Sequence, residues 1–499
     1  MPSKKVTSDL KNQYTHILPA RKLFLAGIFF LLILLPGFLY SQENIQKKQI
    51  DNSENLYDTD LLPASFHTER RKLFREKMAD HAAAVFIAAP VRNRSNDVDY
   101  KYHQNPDFYY YTGYRHPDAL LLILKEPVTI NGQTANEFIF IQENDEMMET
   151  WTGKVPSAED VRNSSGIRSV AINTGFDSAG INWNQFEKIY LKTAVNLNYN
   201  TIEKGSTGWM AAKFKEQTSG ISEKVDRAGM LKINSLLREV KTSEEIDLMK
   251  KAIDLTCRGF IEVIKAAKPG MTEQQLQTIN EYFWYYGGAE YAGYPSIVGG
   301  GHNACVLHYE KNRKKLVDGD FVVMDMGAEY HGYTADVTRS FPINGKFSKE
   351  QKLLYDLVLK AQEAGISVCK PGTPFNEPHK VATKIIADGL IKLGIIKKED
   401  QVRKYFMHGT SHYLGLDVHD PGTYGPLQPN SVITVEPGIY IKKGSPCDPK
   451  WWDIGIRIED DILITESDPI NLSACIPKTT EEIEALMAQE SLFNELHKN

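Results

Sequence analysis

Two aspartates in one short stretch set the chemical question. Residues 321–328 and 333–341 are apolar runs rich in β-formers, separated by Glu329, Tyr330, His331 and Gly332, and this reads as a hairpin. With Ala328 opposite Tyr333, Asp325 falls opposite Asp336. Facing residues on one side of a hairpin carry Cβ atoms about 4.5–5.5 Å apart. Two carboxylates so close inside an apolar sheet cannot both stay ionised without a partner. That partner is either a shared proton or a metal ion.

Three further stretches supply candidates for the same chemistry. The segment HGTSHYLGLDVHD holds His408, His412 and His419, three of the thirteen histidines. The spacing of His408 and His412 is helical, but the glycines around them and the lack of a glutamate after His408 argue for a loop rather than a zinc-binding helix. In VITVEPGIY, Val432, Thr434 and Glu436 share one face of a strand that Pro437 and Gly438 end. In GIRIEDDILIT, alternation places Arg457, Glu459 and Asp461 on one face. Four carboxylates and an imidazole favour hard or borderline divalent cations such as Mn²⁺ over a thiolate zinc site. They are too many for one catalytic ion with an open position, and two ions about 3.5–4 Å apart would use them all. A shared proton alone would leave His412, Glu436 and Glu459 without a purpose.

Other chemistries find little support. There is no GxSxG, Cys305 and His308 lack any further cysteine-protease signature, and Gly299, Gly300 and Gly301 are not followed by Lys and Ser or Thr. A formal net charge of −6 gives no nucleic-acid footprint. The five cysteines are far apart without CxxC spacing, which argues against a disulfide framework and leaves any single pair undetermined.

These residues need a scaffold, and 499 residues suffice for two or three domains. Residues 1–41 read as a signal peptide: Arg21 and Lys22 precede an apolar run at 23–35, Pro36 and Gly37 break it, and Ser41 is the cleavage candidate. Such a signal peptide implies an exported chain, periplasmic or secreted; the alternative is a chain anchored in the membrane by residues 23–40. Residues 42–60 read as a flexible linker. Residues 61–230 form an α/β domain, with a helix over 66–78, strands at 82–89, 120–124 and 137–141, and an aromatic cluster, YHQNPDFYYYTGY, at 102–114. Residues 231–499 form the second domain. It opens on a helix capped at Ser243, is followed by one capped at Thr272, and closes on a helix over 480–496.

Taken together, LHY at 307–309, MDMGAEYHGYTADVTRSFPINGKF, HGTSHYLGLDVHD, VEPGIY and GIRIEDD closely resemble the motifs of the pita-bread metallopeptidases. Within that superfamily the chain is similar to aminopeptidase P, and NPDFYYYTGY resembles part of that family's N-terminal domain. The resemblance covers about residues 61–488 and implies an α/β (α+β) architecture, a creatinase/prolidase-like domain followed by a pita-bread catalytic domain. It also implies a metal-dependent Xaa-Pro aminopeptidase acting on peptides with proline second, through attack of a metal-bridging hydroxide. Two divalent ions per chain, Mn²⁺ by preference, would be held with Asp325 on one, Asp336 and Glu459 on both, and His412 and Glu436 on the other. Glu436 would shuttle a proton, His308 and His419 would bind substrate and stabilise the tetrahedral intermediate, His408 would line the proline pocket, and Arg457 would anchor Glu459. A homodimer or homotetramer is the expected assembly. The alternatives are an Xaa-Pro dipeptidase (prolidase) and, from another class, an inactive pita-bread binding protein.

Overall fold

The computed structural model describes residues 58–192 and 203–494. The expected signal segment, most of the linker and the last residues of the expected C-terminal helix lie outside them. Among the described residues no helix is long and apolar enough to cross a membrane.

The first part of the body is a six-stranded mixed sheet. Its strands are β1 (Ala82–Ile87), β2 (Leu120–Ile130), β3 (Gln133–Ile141), β4 (Val170–Ile172), β5 (Lys188–Tyr190) and β6 (Val225–Asp226), in the order β4-β3-β2-β1-β5-β6. Strand β1 is buried along its whole length, as expected of a continuous apolar run at the centre of a covered sheet. Helix α1 (Ala64–Lys77) turns Phe66 and Phe74 inward. Helix α2 (Pro106–Thr112) starts at Asn105, whose side chain accepts from the amides of Asp107 and Phe108, and ends on Gly113 with φ +66°. The aromatic cluster is core: Tyr110 and Tyr111 are fully buried, and their hydroxyls donate to the Leu237 carbonyl and the Asn234 side chain.

Helix α3 (Arg227–Arg238) leads into the second part. There α4 (Ser243–Ala266) and α5 (Glu273–Tyr286) pack side by side. The cap of α4 is Thr242, one residue before the expected Ser243, because Thr242 and Glu245 make the reciprocal capping box. One apolar cluster continues from Phe74 and Tyr111 through Met249 and Phe260 of α4 to Met324, so both parts share a core. Helices α6 (Lys349–Ser367) and α7 (Glu377–Lys392) follow the hairpin, and α8 (Thr480–Met487) is the last helix among the described residues, stopping well before the expected 496. Cys257 and Cys475 form one disulfide across 218 residues, while Cys305, Cys369 and Cys447 are free.

The strands that carry the chemistry lie in short antiparallel sets. Strands β7 (Ile297–Gly300), β8 (Phe321–Met326) and β11 (Val337–Pro342) form one sheet, and β9 (Ala328–Tyr330) pairs with β10 (Tyr333–Thr334) at the hairpin tip. The expected register is corrected here: Tyr330 pairs with Tyr333, and Asp325 lies opposite Thr338 rather than Asp336. The turn is two residues long, with φ +50° at His331 and +85° at Gly332, which is the hairpin geometry that suits strand twist. Asp336 is therefore diagonal to Asp325. At Gly327 a Cβ would sit 1.8 Å from the Ala335 carbonyl oxygen, so only glycine lets the two strands approach where the pairing breaks.

Strand β12 (Val432–Val435) stops before Glu436, and Gly438 opens β13 (Gly438–Ile441) rather than ending a strand. The expected continuous strand around Glu459 is likewise two: β14 (Ile454–Arg457) pairs with β13, and β15 (Asp460–Leu463) pairs with β12. Glu459 sits at the crossover and bridges to Thr338 of β11.

Candidate metal centre

Strand ends and breaks converge on one cavity of about 470 Å³, lined by all nine residues to which the resemblance assigns a role: His308, Asp325, Asp336, His408, His412, His419, Glu436, Arg457 and Glu459. Asp325 and Asp336 come from the hairpin, Glu436 from the β12–β13 break, and Arg457 and Glu459 from the β14–β15 break. Loop 408–420 is not helical and brings His408, His412 and His419 to the same cavity.

Asp336, His412 and Glu459 offer donor atoms that all lie within 4.8 Å of one another. Nε2 of His412 is 3.2 Å from Asp336 Oδ2 and 3.8 Å from Glu436 Oε1. Its Nδ1 is 3.1 Å from the Tyr413 carbonyl oxygen, an acceptor that fixes the proton on Nδ1 and leaves Nε2 free to bind a cation. The His419 ring meets His412 edge to face at 4.4 Å between centroids.

Arg457 is buried and fans out over the other side. It donates to Asp325 Oδ2 at 2.5 Å, to the Tyr440 hydroxyl at 2.9 Å and to Thr338 Oγ1 at 3.1 Å. Thr338 in turn donates to Glu459 Oε2 at 2.6 Å, so one guanidinium positions Asp325 directly and Glu459 through a hydroxyl. His408 Nε2 is 2.9 Å from the Tyr440 hydroxyl, and its ring lies edge-on to Phe406, an apolar platform beside the carboxylates.

The electrostatics show what this donor set lacks. Burial, then repulsion from Asp336, Glu436 and Asp325, pushes Glu459 well above the usual carboxylate range. Burial pushes Glu436 up to about 7 despite His412 and Arg457, and it raises Asp325 as well. Burial alone would lower His412, but the hydrogen bond and charge of Asp336, with the charge of Glu436, lift it to about 9. Three buried carboxylates and a half-buried one, Glu436, thus face one guanidinium and one imidazole, and the balance calls for added positive charge. Divalent cations with oxygen and imidazole ligands fit this set.

Three participants were not singled out from the sequence. Tyr294, a lone tyrosine before Pro295, places its hydroxyl between Asp325 and Asp336. Thr338 and Tyr440 lie inside motifs quoted above, but only the fold shows that Thr338 links Arg457 to Glu459 and Tyr440 links it to His408. Asp461 shares no part of the cavity; its Oδ2 accepts from the Asp336 amide.

Comparison with known proteins identifies the family. Residues 67–185 match the aminopeptidase P N-terminal domain, and residues 247–466 match metallopeptidase family M24. The Xaa-Pro aminopeptidase of Escherichia coli K12 is 36% identical over 444 residues, covering 84% of this chain and 96% of that protein. Aminopeptidase PepP of Pseudomonas aeruginosa superposes with a TM-score of 0.78 at 31% identity, over 86% of this chain and 99% of the other. Aminopeptidase P from E. coli with the inhibitor Pro-Leu gives 0.76 at 34%, over 85% and 98%. Both domains match in order and the relatives are spanned almost end to end: the chain belongs to the aminopeptidase P family of M24 metallopeptidases.

Proposed function

We propose that this chain is a metal-dependent Xaa-Pro aminopeptidase, releasing the N-terminal residue from peptides whose second residue is proline. The observation that carries the reading is the convergence of four carboxylates and His412 on one cavity, in a chain whose relatives are named for that activity. Asp325 would hold one ion, Asp336 and Glu459 both, and His412 and Glu436 the other. The oxygen-rich set favours Mn²⁺. Bound divalent ions would supply Lewis acidity toward the peptide carbonyl and lower the pKa of water.

The chain's own residues divide the remaining work. Glu436, beside both His408 and His412, takes a proton from the attacking water and passes it to the departing proline nitrogen. His308 and His419, on the wall of the same cavity, would donate hydrogen bonds to the carbonyl oxygen as it develops charge. His408, backed by Phe406 and Tyr440, lines the proline pocket. Arg457 holds the acids in place.

Tyr294, Pro295 and Val418 also line an adjoining cavity of about 510 Å³, which supports room beside the ligands for a substrate longer than a dipeptide. This favours the aminopeptidase over a prolidase. Comparing Gly-Pro with Gly-Pro-Xaa tripeptides tests the choice: glycine released from the tripeptides supports it, and activity confined to the dipeptide overturns it. A protein with neither metal nor peptidase activity would be an interaction module instead.

Export belongs to the same proposal, supported by the basic and apolar pattern at residues 21–41. So does assembly as a homodimer or homotetramer, supported by Met147, Met148 and Trp151, which stand exposed along one short helix. N-terminal sequencing and light scattering would test them.

A further inference from the structure

Beyond the metal centre, a buried knot of charge joins the first domain to the loop that carries His412 and His419. Arg238 ends α3 and is 1% exposed. It donates to Asp107 Oδ1 at 2.6 Å, to Asp417 Oδ2 at 3.0 Å, and to Asp420 Oδ1. Lys241 Nζ lies 3.0 Å from the other oxygen of Asp420, and Lys192 Nζ lies 2.6 Å from the other oxygen of Asp107. Three cations meet three carboxylates, so the knot is electrically balanced only with all six in place.

The neighbours of Arg238 grip the same loop. Glu239 accepts from the Tyr413 hydroxyl at 3.0 Å and from the Thr423 amide at 2.7 Å. Residues 238–241 therefore hold the loop at 413, 417, 420 and 423. His412 and His419 each adjoin one of these anchors in sequence. Among the described residues, the first domain reaches Arg238 through Asp107, from the aromatic motif whose rings are core.

We propose that Asp107 is a positioning residue for the reaction: through Arg238 it fixes Asp420, and with it the His419 imidazole over the cavity. Removing its charge leaves the two loop carboxylates as the charged partners of Arg238, and a buried guanidinium then draws Asp417 and Asp420 toward itself. The loop bearing His419 shifts with them. Shifts of about 1 Å at a reacting centre cost up to about 10²-fold in rate. The proposal rests on the reading of His419 as a donor to the substrate carbonyl.

The test is a kinetic cycle on the metal-loaded full chain with a Gly-Pro-Xaa tripeptide, using wild type, Asp107→Asn, His419→Ala and the double variant. Asp107→Asn is expected to lower kcat about tenfold with KM changed by less than about twofold and metal content intact. The double variant is expected to be no slower than His419→Ala, since both changes act on one group. Asp107→Glu, which keeps the charge on a longer arm, carries the same cycle if the asparagine variant does not fold, with an intermediate kcat expected. Wild-type kcat in Asp107→Asn, or losses that multiply in the double variant, would overturn the proposal while leaving His419 its role. If His419→Ala keeps full kcat, the reading of His419 falls and this inference falls with it.

Discussion

The hydroxyl of Tyr294 lies 2.5 Å from Oδ1 of Asp325, and the same oxygen is 2.6 Å from Oδ1 of Asp336. A phenol has one proton and can donate to only one of them. The second short contact needs a proton on a carboxyl, in keeping with the rise of Asp325 under burial and the charge of Asp336. Cations that bind these oxygens compete with protons for them.

Metal affinity should therefore fall as pH falls. Burial first, with neighbouring charge, sets Glu436 to about 7 and raises Asp325 and Glu459, while the acids beside His412 lift it to about 9. Every one of these groups binds protons more readily than usual, so ion binding releases protons and weakens in acid. Chelator competition between about pH 8 and about pH 6 should show apparent affinity dropping about tenfold or more per unit. Affinity that ignores pH would contradict the reading.

Arg457 should not tolerate lysine. Its three donors reach Asp325, Tyr440 and Thr338 at once, and an ammonium cannot reproduce that fork. Arg457→Lys is expected to keep its far-UV spectrum and lose about a hundredfold in kcat/KM, because both the Asp325 and the Glu459 supports loosen. A lysine variant within about twofold of wild type would show that the charge alone suffices.

The first domain carries its own pH sensor of stability. His67 is buried and its Nδ1 lies 3.0 Å from the Tyr110 carbonyl oxygen; burial, with Arg71 nearby, lowers it from 6.5 to about 4. The unfolded chain takes up this proton first. Its contribution is therefore complete above pH 6.5, is lost as pH falls toward about 4, and amounts to about 3 kcal/mol. Thermal melts of wild type and His67→Gln should converge as pH drops through that window. Parallel melting curves would refute the assignment.

Much of the site is legible in the sequence because the four expected carboxylate ligands sit on or beside strands, while His412 stands out in a histidine-rich, glycine-flanked loop. Asp325 and Asp336 share a hairpin, and Glu436 and Glu459 follow apolar runs. The register was not legible. His331 adopts a positive φ, which its residue type does not announce, and this moves the partner of Asp325 from Asp336 to Thr338. Tyr294 looks like any tyrosine until the fold sets it between two acids. Contacts across large separations were equally hidden: Arg238 finds Asp107 131 residues away, and Cys257 finds Cys475 across 218. Apolar periodicity reports which face is buried, but it does not say which distant charge or thiol waits there.

The division of labour between the two hairpin aspartates is the centre of the account, and counting ions tests it most directly. Elemental analysis of wild type, Asp325→Asn and Asp336→Asn, each loaded with Mn²⁺ and desalted, should give about two ions per chain in wild type. Asp325→Asn should keep one, and Asp336→Asn, which removes the shared ligand, should keep neither site intact and lose all activity. Equal loss from both variants, or fewer than two ions in an active wild type, would contradict the assignment.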